Sequence, residues 1–561
     1  MSKIKLLPLA LLALSQVALA AEPPSAGSQM QQIPLAPQPQ NRAPRLDVQA
    51  ATPKAVTGTD TATLVVKQLR VTGARAYTEA ELLAVTGFVP GQTLSLSDLR
   101  GMATKIADYY HRQGYFAAQA YLPEQTIRDG SVTIAVMDGR YGQVIVNNQT
   151  NVQPALVDEL LRGLNHDDLI AAEPLESHLL LLSDLPGIQV RSTLVPGAEL
   201  GTSDLRVDVL PGERISGSVD ADNAGNRYTG ANRVGITVNL NEPAGLGDVA
   251  TLRLLSSGEG LNYARLAYQA QFGSAKLGVA YSNMRYKLGE EFASLQAHGT
   301  AEVASIYGSV PLVRSRSDNL YAGLTLDAKT FQDKVDIIPS VTDKKAQVLT
   351  ARVYGDHRDN WGYGGLSTYS LALSAGKLDL QTASTRLTDA TTAQSNGNYQ
   401  KLSLNATHLH NVSEMVSLYA ALNGQVASKN LDISEKMELG GMYGVRAYPE
   451  GEAYGDEGAV LNLEGRVQLT ATLQAIVFVD AGTVRLNKSP WATGSNHRTL
   501  SGAGLGLNWA ENNNFMVRAY YARKLGDDLA TSAPDKSGRF WIQAVKYFSI
   551  PLTHNTARTS P

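Results

Sequence analysis

The sequence predicts two α+β domains, each of order βααββ, followed by a transmembrane antiparallel β-barrel of about sixteen strands. Three observations predict it. A secretory leader opens the chain, and no later apolar run is long enough for a membrane helix. The βααββ order then occurs twice in succession. From residue 212 to residue 548, helical spacing gives way to short segments that alternate apolar and polar residues.

The leader occupies residues 1–20. Lys3 and Lys5 form its positive start, residues 6–14 its apolar centre, and Ala18-Leu19-Ala20 the small-x-small cleavage pattern. A membrane helix needs ~20 consecutive apolar residues. Without one, a membrane-embedded chain is left with the closed barrel, because lipid offers no partner to free backbone groups. Composition narrows the functional classes. At 561 residues the chain exceeds what one core sustains, and its net charge of −3 provides no basic face for phosphates, which excludes nucleic acid as a partner. It has no cysteine, so disulfides, thiolate metal sites and cysteine nucleophiles are excluded.

Residues 21–62 are rich in Pro, Gln, Ala and Thr without apolar periodicity and read as a flexible periplasmic linker. The first domain spans 63–140. Residues 64–71 suit a strand; Thr78 and Glu81 form a capping-box pattern ahead of a short helix. Ser97 or Asp98 caps a second helix carrying Leu99, Met102, Ile106 and Tyr109/Tyr110, and strands follow at 115–122 and 131–137. The second domain, 141–211, repeats the order with a strand at 142–146, helices at 154–162 and 174–185, and strands at 190–195 and 205–210. Two copies in tandem are a stronger signal than either alone.

The barrel is placed at 212–548. Within it, Val234, Ile236, Val238 and Leu240 alternate with Arg233, Gly235, Thr237 and Asn239, and residues 276–282 and 461–469 behave alike. The stretch reads as free of helix and is far longer than a sandwich of roughly 100 residues. Tyrosine outnumbers phenylalanine 24 to 9, as suits rings at a membrane interface with one wet end. A barrel this wide encloses a lumen. Residues 540–548 read as the last strand and 549–561 as a polar tail.

Several runs resemble one family. They are residues 91–99, Tyr110-His111-Arg112-Gln113-Gly114-Tyr115 and Leu122-Pro123-Glu124-Gln125 in the first unit. In the second they are Pro174-Leu175-Glu176, Leu185-Pro186-Gly187-Ile188, Leu194-Val195-Pro196-Gly197 and residues 201–205. Residues 222–230 and Gly245-Leu246-Gly247-Asp248 open the barrel. In this order they resemble the two-partner secretion transporters, the ShlB/FhaC/HecB-like haemolysin secretion/activation proteins, within the superfamily of POTRA domains and barrels that includes BamA. The resemblance covers residues 64–548.

Two barrel motifs follow from it. Gly444-Val445-Arg446-Ala447-Tyr448, with Gly455-Asp456-Glu457-Gly458 after it, resembles the VRGY tip of the long sixth extracellular loop, which folds into the lumen in this superfamily. Ala447 replaces the family glycine; were positive φ needed there, alanine would be costly. Phe478-Val479-Asp480-Ala481-Gly482 resembles the F-x-D-x-G motif of a later strand. With a period of two, Ala475, Val477, Val479 and Ala481 face lipid while Phe478, Asp480 and Gly482 face the lumen. The residues alone leave two readings open: an Arg446–Asp480 latch holding the loop to the wall, or a solvated arginine beside an ordinary lumenal carboxylate. The resemblance favours the latch.

No nucleotide, zincin or esterase motif is present, and no nucleophile, base and orienting group assemble, so no catalytic residue, metal site or cofactor is expected. His408 and His410 share a strand face and read as polar barrel or loop positions; Glu435 and Glu438 read as strand-end solvation. The resemblance implies an outer-membrane transporter with POTRA domains in the periplasm that passes an unfolded partner exoprotein, of adhesin or cytolysin class, to the cell surface. Further implied partners are outer-membrane lipid and the barrel assembly machinery that inserts the chain, which is expected to be monomeric. The alternatives are an assembly factor for outer-membrane proteins and a diffusion porin.

Overall fold

A computed structural model describes residues 23–38 and 63–551; the leader at 1–20 and residues 552–561 of the expected tail lie outside the described residues. Of the expected linker, residues 23–38 are described, and they contain a helix, Ala26–Gln31, with a capping box between Ser25 and Ser28. This helix sits inside the barrel, and its order comes from tertiary contacts that its own composition does not announce.

The first domain pairs Gln68–Thr72 parallel with Ser131–Met137, which pairs antiparallel with Gln119–Tyr121. The single strand expected at 64–71 breaks at Lys67, where Lys67 N–H and Gln68 N–H both donate to Gly130 O. Its first half, Thr63–Val66, instead pairs with Gln92–Ser95, a strand the sequence did not reveal. The helix Glu79–Thr86 is closed by the expected Thr78/Glu81 box and by left-handed Gly87. The next helix, Leu96–Arg112, starts earlier than expected because Ser95 caps it and Asp98 completes the box. In the second domain, Arg140–Asn148 lies parallel to Thr202–Pro211, with Ile188–Pro196 antiparallel on its other side. Helices Pro154–Leu160 and Ala172–Ser183 cover that sheet, burying Val157, Leu160, Leu175, Leu179 and Leu182 in one cluster.

Sixteen antiparallel strands then close a barrel. The first, Glu213–Asp222, pairs with Arg233–Asn241 on one side and with the last, Gly538–Pro551, on the other. The last strand thus runs beyond residue 548 into the expected tail. Residues 382–398, expected as a polar connection in a region free of helix, hold the helix Ala383–Thr391. Burial is inverted relative to a water-soluble sheet. Leu266, Ile306 and Leu324 are about 60% exposed on the outer face, while Asp220, Arg253 and Asp480 are at most 3% exposed on the inner one. Among the described residues no helix is long and apolar enough to cross a membrane. The strands do the crossing, with apolar side chains outward and polar ones inward.

The second domain abuts the barrel's near end. Gln153 N–H donates to Gly245 O, and Arg314 makes two 2.8 Å bonds to Asp184. With the two N-terminal domains in the periplasm, as the resemblance implies, that end is the periplasmic one, and strand direction then assigns each connection to a side. Residues 428–456 form the long connection at the far, extracellular end.

Placing a charge on the lipid face tests this orientation. Leu266→Arg is expected to destabilise the folded barrel in lipid vesicles by about 2–4 kcal/mol if it lies near the midplane, as read by denaturant titration, with Leu266→Ala costing much less.

Candidate functional site in the barrel lumen

Strand Leu473–Arg485 supplies the wall. Its alternation buries Ile476, Phe478, Asp480, Gly482 and Val484 and exposes Val477 and Val479. Asp480 lies opposite Asn462, and Phe478 opposite Glu464, on the neighbouring strand Glu457–Gln468. Gly482 leaves room for the loop: a Cβ there would lie 2.5 Å from Leu439 Cδ1.

The extracellular connection 428–456 turns back into this lumen. A two-residue ladder between Met437–Glu438 and Tyr454–Gly455 draws its ends together, and the tip folds tightly, with Val445 N–H bonded to Leu439 O. Gly444 has to be glycine, since a Cβ would stand 2.3 Å from Leu439 O. Val445, Ala447 and Tyr448 are fully buried in a cluster with Leu439, Ile476, Phe478, Leu500 and Tyr520. Ala447 does not take positive φ and packs against Gly502, so alanine carries no backbone penalty here. Tyr448 OH donates to Asp528 O.

Arg446 stands at the centre. Its Nε and Nη2 donate to the two oxygens of Asp480 at 2.9 and 2.7 Å, its backbone N–H donates to Asp480 Oδ2, and Nη1 reaches Glu464 Oε1 at 2.7 Å. The guanidinium carbon lies 3.5 Å from the Phe478 ring centroid, a cation–π contact. Trp541 Nε1 donates to Arg446 O, and Asn462 Nδ2 bridges Asp480 Oδ1 and Gly444 O. A fork-on-fork pair of this kind is strong and directional. With every partner removed from water, losing one side leaves an uncompensated charge, at a cost of about 3–5 kcal/mol.

The structure thus brings together Gly444, Val445, Arg446, Ala447, Tyr448, Phe478, Asp480 and Gly482. It adds Glu464, Asn462 and Trp541, which the sequence reading missed. Glu464 and Asn462 sit on the inward face of a strand whose alternation was visible, so the row opposite Asp480 could have signalled them; Trp541 gave no signal.

The same loop holds a second ionic cluster. Of the two acids expected as strand-end solvation, Glu435 is buried and Glu438 is half-buried. Glu435 binds Lys329 at 2.7 Å and Lys401 at 3.0 Å, and Asp432 binds Lys344 at 2.8 Å. Burial pushes the Glu435 carboxyl up, but Lys329 and Lys401 outweigh it and hold it below the usual range. Glu438 accepts from Gly451 N–H beside Tyr454, and its carboxyl is raised by burial and by Glu450. The N-terminal helix fits against this cluster. Gly27 packs on Ser434, Thr229 Oγ1 donates to Gln29, and Gln32 bonds Tyr454 OH and, through its carbonyl, Arg233. Ala26 N–H is held by Asp333 near the extracellular end, while Gln38 O accepts from Tyr547 near the periplasmic end. Residues 26–38 therefore run the length of the lumen.

His408 and His410 face outward near the periplasmic rim, with His410 stacked on Trp361 at 4.5 Å. Among the described residues no three His, Asp or Glu side chains are arranged to hold a metal.

Comparison with known proteins matches this architecture. Residues 201–509, more than half of the chain, match the model of the haemolysin secretion/activation protein ShlB/FhaC/HecB, and residues 64–139 match the ShlB-type POTRA domain. The heme/hemopexin transporter protein HuxB of Haemophilus influenzae (strain 86-028NP) is 28% identical over 471 residues, 82% of each chain. The solved structure of CdiB from Escherichia coli superposes with a TM-score of 0.69 at 20% identity, over 90% of this chain and 94% of that one. CdiB from Acinetobacter baumannii gives 0.60 at 18% identity, over 97% of both. At those identities the structures speak for the fold, and the sequence models for descent. The chain belongs to the haemolysin secretion/activation protein family (ShlB/FhaC/HecB), the outer-membrane transporters of two-partner secretion whose POTRA domains stand in the periplasm.

Proposed function

We infer that this transporter receives an unfolded partner exoprotein on its POTRA sheets and passes it through the barrel to the cell surface. The observation that carries the reading is a lumen filled by the chain's own segments, each held by buried polar contacts. In this state the conduit is closed, and cargo passes once the N-terminal segment and the Arg446 loop give way. Among the described residues, the three-stranded sheet of each POTRA domain keeps unpaired edges, among them Gln119–Tyr121 and Ile188–Pro196. An extended segment can add a strand there, main-chain bonds giving affinity and alternate side-chain pockets giving selectivity. An adhesin or cytolysin would be a fitting cargo, since such a protein folds only outside. Arg446–Asp480 then fixes the loop's resting position.

Export separates this reading from a role in assembling other outer-membrane proteins. In cells expressing the cognate exoprotein, Arg446→Ala and a deletion of residues 64–211 are each expected to cut secretion more than about tenfold, while heat-modifiable gel mobility still reports an inserted barrel. Normal export with defective assembly of other barrels would replace secretion by an insertase function. The paired change Arg446→Met/Asp480→Leu removes both charges and is expected to restore barrel stability without restoring export.

Closure is also expected to depend on pH. Burial pushes the Glu450 carboxyl up to about 7, against the pull of Arg233 and with Asp222 nearby. Met442 N–H donates to it, and Glu438 is near enough to feel its charge. A carboxyl raised above its unfolded value favours the seated state when protonated, and that contribution is lost as pH climbs from the ordinary carboxylate range through about 7. In planar bilayers, open events should be more frequent at pH 8 than at pH 6, and Glu450→Gln should flatten that difference.

A further inference from the structure

Lys329, Lys344 and Lys401 come from three strands of one wall, Asp318–Val335, Ser340–Asp359 and Gly397–Asn411. Their side chains point into the lumen and are only 12–18% exposed. Each is ion-paired, and every carboxylate in direct contact with them comes from the loop: Asp432 for Lys344, Glu435 for the other two. Nearby wall carboxylates have other work. Asp327 accepts from Ser305, and Asp333 from Tyr286 and from Ala26 N–H, while Asp389 of the Ala383–Thr391 helix accepts from Ser395 and from Asn396 N–H.

The segment bearing Asp432 and Glu435 is also where the N-terminal helix docks, with Gly27 against Ser434. Withdrawing that helix uncovers the loop segment, and moving the loop segment removes the counter-charge of three ammonium groups at once. An ammonium in a narrow, partly desolvated channel does not stay unpaired without penalty. An anion from the passing chain is the available replacement.

We propose that Lys329, Lys344 and Lys401 form a lumenal docking strip for acidic side chains of a polypeptide in transit, and that Asp432 and Glu435 occupy it at rest as an internal surrogate. This deepens the secretion reading and rests on it for the identity of the traffic. The strip recognises carboxylates on an extended chain. It favours passengers with acidic residues in the segment that reaches the outer half of the barrel, and it slows basic ones.

The test uses purified full-length protein in planar bilayers, with no exoprotein present, so its failure and failure of the export assay are separate outcomes. Asp432→Asn/Glu435→Gln is expected to shift the reversal potential in a KCl gradient towards anions. It should also lengthen block by an oligoglutamate peptide about tenfold or more relative to oligolysine of equal length. Adding Lys329→Gln, Lys344→Gln and Lys401→Gln should abolish both effects. Unchanged selectivity with equal block by the two peptides would overturn the proposal. Should the double variant fail to insert, the wild type decides: oligoglutamate is expected to raise open frequency several-fold by displacing the surrogate, and an equal response to oligolysine would overturn it.

Discussion

Closure of Glu213–Asp222 onto Gly538–Pro551 is the constraint on which everything else depends. A sheet in hydrocarbon cannot leave an edge of unpaired backbone groups, so first and last strands must meet. Once they do, the period of two divides every strand into a lipid face and a lumen face. Burial of Asp480, Asp220 and Arg253 follows from that division. A carboxylate with no access to lipid is available as a ligand for something inside.

The chain itself supplies what lies inside. The loop 428–456 spans the lumen from one wall to the other, with Arg446 on Asp480 and Glu464, and with Asp432 and Glu435 on three lysines of other strands. Such contacts are directional and desolvated, which gives a single seat and a large penalty for half-breaking it. They are also exchangeable, because charges can find other partners where apolar packing cannot. Residues 26–38 add contacts to the loop, to the first extracellular connection and to the wall, so the two obstructions are coupled through Ser434 and Tyr454.

Legibility in the sequence followed how local each signal was. The barrel's alternation, the tandem domains and the Thr78/Glu81 box rest on neighbours within a few residues and were readable. So was the inward direction of Asp480, since a carboxylate fixes the face of its strand. What escaped depended on distant partners. Gln92–Ser95 is a strand only because half of the first strand turns to meet it, and Lys67 breaks only because Gly130 O waits there. Glu435 looked like a solvated acid because its two lysines lie far away in the chain. The Ala26–Gln31 helix is too short and too polar to declare itself; the lumen orders it.

The N-terminal segment has one further consequence. It is covalently continuous, through residues 39–62, with a domain on the periplasmic side. It stays tethered to that domain whatever its position. Return is a unimolecular event, with an effective concentration on the order of millimolar for a short connection. Reseating of a segment tethered in this way is intramolecular, and it needs only a vacated lumen.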